Sequence, residues 1–528
     1  MRPGHRAPWG LALPASVLIA IFLAQGFLSS AAKSPAFDET GDIAAGLSYV
    51  QNGEVRANLQ HPPLLKQLAG VTLWLSGIRL PATPETRQML ADGGGERTVG
   101  SQLIALNPDH IMLLARLPFL LVAAGLGVLL YCWGRRLLGE VAALAGLFLY
   151  TLDPAIVGHG YLATMDVGLA AFATLFFFTL WRYLERPDNW RLVCCGVAMG
   201  LMLCTKFSAV FLLPVAAVAI VMQAGGAPAA TARPSRNYGG AALVLLIMGA
   251  LATLVIQAVY LSPGGLFLYT TGLGRVNADH NPDYLVFLGG QLEHRFRTYF
   301  AATYLLKEPL AAILLTLAGL FALHSSGASR TAKVFLLLPP AAIFAAHTAF
   351  ADNLGMRYVI PALPFLYLVG GAGAAWLLRQ GLWGRFVAGA LGLWMLAASF
   401  GIYPDHLAYF NEAACLTKDP GAIGLDGGTR CGPLWLDDSN VDWGQSLKQA
   451  KEWVDRNAKG QSVHLAYFGS FPPSAYGWDP NMIGPEQLAA PTSPGIYLVS
   501  AHFVARTPAP WLRTPSEIIA HSIYVYKR

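Results

Sequence analysis

Charged residues are scarce in this chain. Only 12% of its 528 residues are Asp, Glu, Lys or Arg, whereas 55% are hydrophobic. A typical soluble domain carries about 25% charged residues, so an ordinary globular enzyme is excluded, and the mean hydropathy of +0.46 agrees. The many apolar residues likewise exclude a disordered chain. A polytopic membrane protein is the class that remains.

A strongly basic surface is also lacking. The net charge is only +6, and no basic stretch is interleaved with aromatic residues at a stacking spacing, so we expect no nucleic-acid partner. Cysteines are few, and no Cys-x-x-Cys or Cys/His metal spacing occurs. Cys415 and Cys431 lie in the polar C-terminal part. They would form a disulfide only if they meet in an oxidising compartment, and their spacing alone leaves this open.

About eleven apolar runs have the length of a membrane-spanning helix, which is about 17–25 residues. A cleaved signal peptide is the rival interpretation of the first run, but its length and the many runs that follow favour a spanning helix. The sequence therefore predicts a mainly α-helical, polytopic membrane bundle. The runs lie near residues 12–32, 110–132, 139–158, 165–184, 191–206, 208–223, 239–260, 309–324, 333–351, 358–378 and 385–403.

Lys and Arg gather in the short loops on one side of these runs. If the N-terminus is cytoplasmic, every short inner loop is basic, as the positive-inside rule requires. The sequence therefore predicts a multi-pass protein of the plasma (inner) membrane with a cytoplasmic N-terminus. The basic inner residues are Arg135, Arg136, Arg182, Arg186, Arg191, Arg233, Arg236, Arg330, Lys333, Arg379 and Arg385.

Three long segments then fall on the outer side, namely residues 33–109, 261–308 and 404–528. The last contains 22 of the 66 charged residues of the chain, so we expect a water-exposed, extracytoplasmic domain. Residues 1–403 form the membrane module, which includes the other two outer loops.

The C-terminal segment has a mixed pattern. An amphipathic helix is predicted over residues 445–457, because apolar residues recur on one face. Short apolar runs near residues 463–468, 496–500 and 523–526 predict strands, so we expect a small α/β domain. Three acids precede the helix and either cap it or contact a ligand: they are Asp437, Asp438 and Asp442.

Two adjacent acids, Asp38 and Glu39, follow the first span by only a few residues. A carboxylate at the membrane surface lies partly out of water, so its charge and pKa can be tuned for chemistry. Asp38 can equally cap the helix predicted over residues 40–50, and the two roles are compatible. Asp166 precedes another apolar run and is likewise either a helix cap or a functional acid.

Three cations are predicted on the same outer side. Lys66 opens an amphipathic stretch, residues 64–78, that can lie flat in the membrane interface. Lys206 lies near the outer end of its span, and Arg357 follows Asp352 at another outer helix end. Each cation is either a phosphate ligand or a structural charge. In the structural alternative the lysines snorkel to the membrane surface, and Arg357 forms a local ion pair with Asp352.

Acids and cations gathered on one side are typical of a site that activates a nucleophile and receives a phosphate. An ion-coupled carrier fits less well. Carriers usually place ionisable residues near the membrane midplane, whereas the interiors of the predicted spans are nearly free of charge.

The Asp38-Glu39 pair followed by the His61–Lys66 motif HPPLLK resembles the first loop of the protein O-mannosyltransferases. That family and the aminoarabinose transferases belong to the GT-C class of membrane glycosyltransferases, and bacterial members are glycosyltransferase family 39-like. At residue 308 this chain has Glu, where the family more often has Thr. Further segments that resemble the superfamily are residues 163–166, 203–208, 280–289, 299–300, 306–310, 353–361 and 438–445.

The resemblance implies a GT-C bundle with an outward-facing site and a polyprenyl-phosphate donor that carries one sugar. By this resemblance Asp38 would be the general base, Glu39 would support it, and Asp166 would be the second essential acid. The residues implied to hold the donor phosphate are Lys66, Lys206 and Arg357, and those implied to bind substrate are His61, His280, Tyr299 and Lys307.

No cofactor is assigned. Some GT-C enzymes bind a divalent metal through an acid and a histidine, so a metal is compatible with the resemblance, but no clear ligand set is visible. The chain also lacks the β-trefoil insert of eukaryotic mannosyltransferases, so protein mannosylation does not carry over directly.

We therefore expect an inverting hexosyl- or pentosyltransferase in which membrane lipids surround the donor. Its acceptor is a protein or a glycolipid on the extracytoplasmic face. Two alternatives remain at this point. A transporter or flippase of lipid-linked sugar would use the same cavity without a base at Asp38. A non-catalytic membrane scaffold would use the C-terminal domain for partner binding.

Overall fold

The computed structural model describes residues 12–91, 94–224, 238–278, 283–325 and 329–528. Arg233, Arg236 and His280 lie outside these ranges. Helices form most of the first 403 residues. They are α1 (Ala12–Ala32), α2 (Glu39–Asn52), α3 (Leu64–Leu75), α4 (Pro84–Ala91), α5 (Glu96–Ala105), α6 (Pro108–Leu137), α7 (Glu140–Leu152), α8 (Pro154–Gly160), α9 (Asp166–Glu185), α10 (Asn189–Leu203), α11 (Leu213–Ala224), α12 (Tyr238–Val259), α13 (Gly265–Ala278), α14 (Tyr299–Lys307), α15 (Leu310–Ser325), α16 (Arg330–Phe350), α17 (Leu363–Leu377) and α18 (Gly381–Gly401).

The apolar helices confirm the multi-pass membrane class. Within the described ranges, seven helices are long and apolar enough to cross a membrane, and nine spans result if each of two bent helix pairs is one span. The two predicted spans near residues 191–206 and 208–223 correspond to shorter apolar helices, so the count of eleven stays a prediction. The seven long spans are Ala12–Ala32, Pro108–Leu137, Asp166–Glu185, Gly239–Val259, Arg330–Phe350, Ile360–Leu377 and Gly381–Gly401.

Prolines explain the two bends. Pro154 starts α8 directly after α7, and the two helices differ in direction by 62°. Pro309 separates α14 from α15, which are bent by 111°. Proline restricts the conformation of the preceding residue and lacks the N–H that would continue a helix. The helical path therefore bends at each of these two prolines.

Residues 33–109 contain four short helices, α2 to α5, that pack together. Glycines permit the closest approaches between them. A Cβ atom on Gly46 would lie 1.9 Å from the backbone oxygen of Lys66, and one on Gly100 would lie 1.8 Å from that of Thr40. Helix α2 is therefore fixed between α3 and α5, and its first turn, which carries the acid pair, is held in place.

The C-terminal segment is an α/β domain, as predicted. Its five-stranded sheet has the order β4-β3-β5-β7-β6, in which β3 pairs in parallel with both β4 and β5, and β7 pairs antiparallel with β5 and β6. A small hairpin, β1–β2, lies between α13 and α14. The elements are β1 (Val286–Leu288), β2 (Gln291–Glu293), α19 (Ala413–Leu416), α20 (Leu447–Asn457), β3 (Val463–Ala466), β4 (Asn481–Met482), α21 (Pro485–Ala489), β5 (Ile496–Ser500), α22 (Ala501–Arg506), β6 (Glu517–Ile519) and β7 (Ile523–Lys527).

Cys415 and Cys431 form a disulfide, with Cα atoms 5.2 Å apart. The bond joins α19 to a short 3₁₀ segment, Thr429–Leu434. It therefore closes the loop that leads from the last span into the sheet domain.

The capping interpretation of the three tail acids is wrong. Asp437 accepts a hydrogen bond from Arg506, and Asp438 accepts one of 2.7 Å from the hydroxyl of Tyr284. Asp442 accepts from the backbone N–H of Gly444 at 3.0 Å. Helix α20 begins beyond all three without a side-chain cap. Asp437 and Asp438 are engaged in tertiary contacts, and Asp442 is engaged in a local one.

Candidate active site

Asp38 occupies the N-cap position of α2, but its side chain does not cap the helix. Its Oδ2 accepts a hydrogen bond of 2.8 Å from Nη1 of Arg357, and its Oδ1 lies 3.8 Å from Nη2 of Arg97. The carboxylate is 28% exposed. Asp38 is therefore a solvent-accessible acid held by two cations. A functional acid needs this accessibility, whereas a residue that only caps a helix does not.

Glu39 is fully buried and pairs with Arg116 of α6. Two guanidinium nitrogens of Arg116 donate to the carboxylate at 2.9 and 2.6 Å. The backbone N–H groups of Ala36 and Ala163 donate to the same carboxylate, each at 2.8 Å. Glu39 thus uses both oxygens to hold the loop between α1 and α2, helix α6 and the loop before Asp166 together.

Asp166 lies in the first turn of α9, where Met165 takes the N-cap position. Its Oδ1 accepts a hydrogen bond of 2.6 Å from Nζ of Lys206, and both side chains are buried. Burying two charges costs desolvation free energy, which only a close and well-bonded pair offsets. The short contact between Asp166 and Lys206 supplies that compensation.

The two acid–cation pairs meet at Tyr358. Nζ of Lys206 lies 4.4 Å from the centre of the tyrosine ring, and the guanidinium carbon of Arg357 lies 5.6 Å from it. Burial opposes the charge on Arg357, but Asp38, together with Tyr358, Asp166 and Asp438, outweighs burial and raises the pKa of the guanidinium above its ordinary value. Two cations therefore lie close to the same ring.

Lys66 is fully buried. Its ammonium donates to the backbone oxygens of Asn58 and His61 at 2.6 and 3.1 Å and lies 3.7 Å from Asp42. Burial lowers the pKa of Lys66 to about 8, although the charge of Asp42 acts in the opposite direction. Burial likewise raises the pKa of Asp42 to about 7, against the effect of Lys66. Lys66 holds the loop that carries the HPP motif rather than pointing at an open space.

The predicted substrate-binding residues divide into two groups. His61 has a buried Nδ1 without a hydrogen-bond partner, and burial, followed by the charges of Lys206 and Lys66, lowers its pKa well below the ordinary value. It is therefore a neutral imidazole near the cations. Tyr299 instead accepts from Asn440, and His280 lies outside the described residues.

Lys307 contacts the C-terminal domain. Its ammonium donates to the backbone oxygens of Leu407 and Asn440 at 2.8 and 2.5 Å and lies 4.3 Å from the ring centre of Phe410. The structure thus places this lysine at the contact between α14 and the segments that follow the last span.

A cavity of about 660 Å³ lies next to the ring that both cations approach. Tyr358 lines it, and so does Phe207, the residue after Lys206. Most of the remaining walls are apolar, and Arg295 and His294 add positive or polar groups. The other lining residues include Phe211, Leu273, Val276, Phe350, Asp352 and Asn353.

Sequence reasoning missed three residues that complete the site. Trp443 places its indole 4.3 Å from the guanidinium carbon of Arg357. Arg97 lies beside Asp38, and Tyr358 lies close to both cations. Trp443 belongs to the 438–445 segment that the resemblance already singled out. Nothing in the local sequence of Arg97 signals its position.

No metal centre is evident in the part of the chain that the structure describes. In those ranges, no three His, Cys, Asp or Glu side chains are grouped so that they could hold an ion. We therefore assign no metal ligands.

Comparisons with known proteins agree with the architecture. The sequence profile of the dolichyl-phosphate-mannose-protein mannosyltransferase family matches residues 106–253. ArnT from Cupriavidus metallidurans, in the apo state, is similar with a TM-score of 0.52 and 14% identity over 97% of each chain. No curated protein sequence matches the chain.

A second solved structure shares the fold. The archaeal oligosaccharyltransferase AglB from Archaeoglobus fulgidus, in complex with an inhibitory peptide and a dolichol-phosphate, is similar with a TM-score of 0.51 and 11% identity. The similarity covers 86% of this chain and 58% of AglB. These matches confirm the predicted bundle with its small C-terminal α/β part.

Proposed function

Because the chain has the fold of the GT-C membrane glycosyltransferases, we propose that it transfers one sugar from a polyprenyl-phosphate donor to an acceptor. The observation that carries the proposal is the arrangement of two carboxylate–cation pairs, Asp38–Arg357 and Asp166–Lys206, around Tyr358 beside a cavity. The arrangement supplies an accessible base and two cations for a phosphate.

The donor phosphate binds Lys206 and Arg357 in this proposal. The adjoining cavity receives the first part of the lipid chain, because its walls are mostly apolar. The dolichol-phosphate in the AglB complex supports a lipid-phosphate ligand for this fold. A phosphate at this position competes with Asp38 for the guanidinium and frees the carboxylate to act as a base.

The reaction is a displacement with inversion. The acceptor oxygen forms a bond to the anomeric carbon as the bond from that carbon to the phosphate oxygen breaks, and Asp38 takes the proton. Departure adds negative charge to the phosphate, so the cations stabilise the transition state more than the ground state. A positioned base contributes about 10²–10⁴-fold.

The other acids and bases support these groups. Asp166 orients Lys206, and Glu39 fixes the turn that presents Asp38. His61 offers its unpartnered Nδ1 to the sugar or phosphate. Lys66 reaches a phosphate only if it leaves its two carbonyl acceptors, so we assign it to holding the HPP loop.

The reaction takes place on the extracytoplasmic face in this proposal. The basic inner loops orient the N-terminus toward the cytoplasm, which puts the first outer segment, the site and the C-terminal domain outside. The exposed part of Asp38 gives the acceptor a route from the aqueous side. The acceptor is a protein or a glycolipid, and the membrane is the plasma (inner) membrane.

A transfer assay in sealed right-side-out vesicles tests the proposal. The vesicles contain the full chain and receive radiolabelled polyprenyl-phosphate sugars together with a membrane extract as the acceptor source. We expect label to move from lipid to acceptor, and Asp38→Asn to reduce this at least 100-fold. Asp109→Asn is the matched control, because Asp109 is an outer aspartate that pairs with Lys448 at the surface.

Two outcomes would overturn it. If label crosses the bilayer while it remains on the lipid, and Asp38→Asn does not affect this, the protein is a carrier. If Asp38→Asn and Asp166→Asn both leave every measured function intact, the scaffold alternative holds.

A further inference from the structure

The C-terminal domain contacts the first outer loop next to Asp38. The backbone N–H of Phe37 donates to the backbone oxygen of Trp443 at 2.8 Å, and that of Ser34 donates to Gln445 at 3.0 Å. These bonds join a turn of the C-terminal domain to the residue that directly precedes Asp38. The domain therefore forms one wall of the site.

The same segment holds the loop in front of Arg357. The hydroxyl of Ser439 donates to the backbone oxygen of Leu354 at 2.8 Å, and the side-chain oxygen of Asn440 accepts from the N–H of Met356 at 2.9 Å. The oxygen of Leu354 also accepts from Nε of Arg357 at 3.1 Å. The C-terminal segment thus fixes the backbone of this loop, and that backbone in turn accepts from the guanidinium.

Trp443 contacts the guanidinium face directly. Its indole is 2% exposed, and the ring centre lies 4.3 Å from the guanidinium carbon of Arg357. An arginine over a desolvated tryptophan is attracted to the ring, which limits how far the guanidinium moves. Nη1 of the same guanidinium donates to Asp38.

The turn that carries Trp443 is rigid. The backbone N–H of Trp443 donates to the side-chain oxygen of Gln445 at 2.6 Å, and the hydroxyl of Tyr467 donates to the backbone oxygen of Gly444 at 2.7 Å. Gly444 has φ +87°, and a Cβ atom there would lie 2.8 Å from Cα of Gly469. A glycine is therefore required, and the tryptophan has little freedom to move.

We propose that Trp443 is a positioning residue that acts through Arg357 on the donor phosphate. The inference rests on the proposed function. Trp443 holds the guanidinium in place, so that Nη1 can turn from Asp38 to the phosphate, and Trp443 itself does not contact the donor. The C-terminal domain is thereby an integral part of donor recognition.

Binding of polyprenyl phosphate without sugar to the full chain in nanodiscs tests this, and it needs no transfer activity. We expect W443L to weaken binding by about 2- to 30-fold, the range for a lost cation–π contact, and W443F to recover part of the loss. W435L is the matched control, because Trp435 also has a cation over its ring, Lys418 at 4.8 Å, and should leave binding unchanged.

A double-variant comparison separates positioning from general damage. If Trp443 acts through Arg357, W443L adds no further loss in the R357M background, whereas a purely structural role gives additive losses and overturns the inference. Should W443L fail to fold, W443F in the two backgrounds gives the same comparison. A chain that binds polyprenyl phosphate with this coupling but never transfers sugar would contradict the proposed function and keep the inference.

Discussion

The buried ion pair between Arg116 and Glu39 gives a quantitative test of how the first outer segment is held. Neither side chain has appreciable solvent exposure. Arg116 also donates to the backbone oxygens of Ser30, Lys33 and Ser34 at 3.0, 3.2 and 2.7 Å. Arg116→Met leaves a carboxylate buried without its cation, so we expect the free energy of unfolding to fall by ~3–5 kcal/mol.

The partner variant should be milder. Glu39→Gln removes the negative charge, but the three carbonyls still accept from Arg116, and one N–H can still donate to the amide oxygen. We therefore expect a loss of about 1–3 kcal/mol. In the double variant, each change has already removed the partner of the other. Its loss in free energy of unfolding should therefore be smaller than the sum of the two single losses by about 0.5–3 kcal/mol.

The assay is unfolding of the purified protein in mixed micelles with increasing denaturing detergent, followed by tryptophan fluorescence. Arg56→Met is the control, because Arg56 pairs with Glu54 at the surface and such pairs contribute ~0–1 kcal/mol. If Arg116→Met costs no more than this control, or if the two changes are additive, the account of the pair is wrong.

Three further predictions concern other parts of the chain. Replacing Cys415 and Cys431 with serine should lower the stability of the C-terminal domain by ~3 kcal/mol, because the bond closes a loop with a sequence separation of 16; denaturant unfolding measures this. His521 should make stability depend on pH. Burial opposes its protonation, but Asp405 and a second aspartate outweigh burial and raise its pKa to about 9. This stabilisation is complete below the ordinary pKa of about 6.5 and is lost as the pH rises through about 9; a His521→Gln variant whose stability keeps the same pH profile would contradict it. Lys206→Met should weaken polyprenyl phosphate binding by about 10- to 100-fold, as expected for a charged hydrogen bond, and unchanged affinity in a nanodisc binding assay would remove Lys206 from the site.

Much of the fold follows from local patterns. The first predicted span and the strand over residues 496–500 agree with the observed bounds of α1 and β5, because continuous apolar runs have few alternatives. Strand β4 has only two residues and β6 only three. Such short strands depend on their neighbours in the sheet, so their own sequence carries little signal.

The site was predictable in its residue types but not in its pairs. The sequence indicates that Asp38 and Arg357 lie on the same outer side, but they are 319 positions apart, and only the packed bundle brings them within 2.8 Å. The expected local partner of Arg357 was Asp352. Likewise the tail acids look like helix caps because a helix follows, whereas Arg506 and Tyr284 reach two of them through tertiary packing.

The central claim is that Asp38 acts as a base toward an acceptor while two cations hold a lipid phosphate. The most direct test measures donor binding and sugar transfer on the same Asp38→Asn preparation. We predict that the variant binds polyprenyl phosphate at least as tightly as the unmodified chain, because Arg357 loses its competing carboxylate, yet transfers sugar at least 100-fold more slowly. Transfer at the unmodified rate would contradict the account.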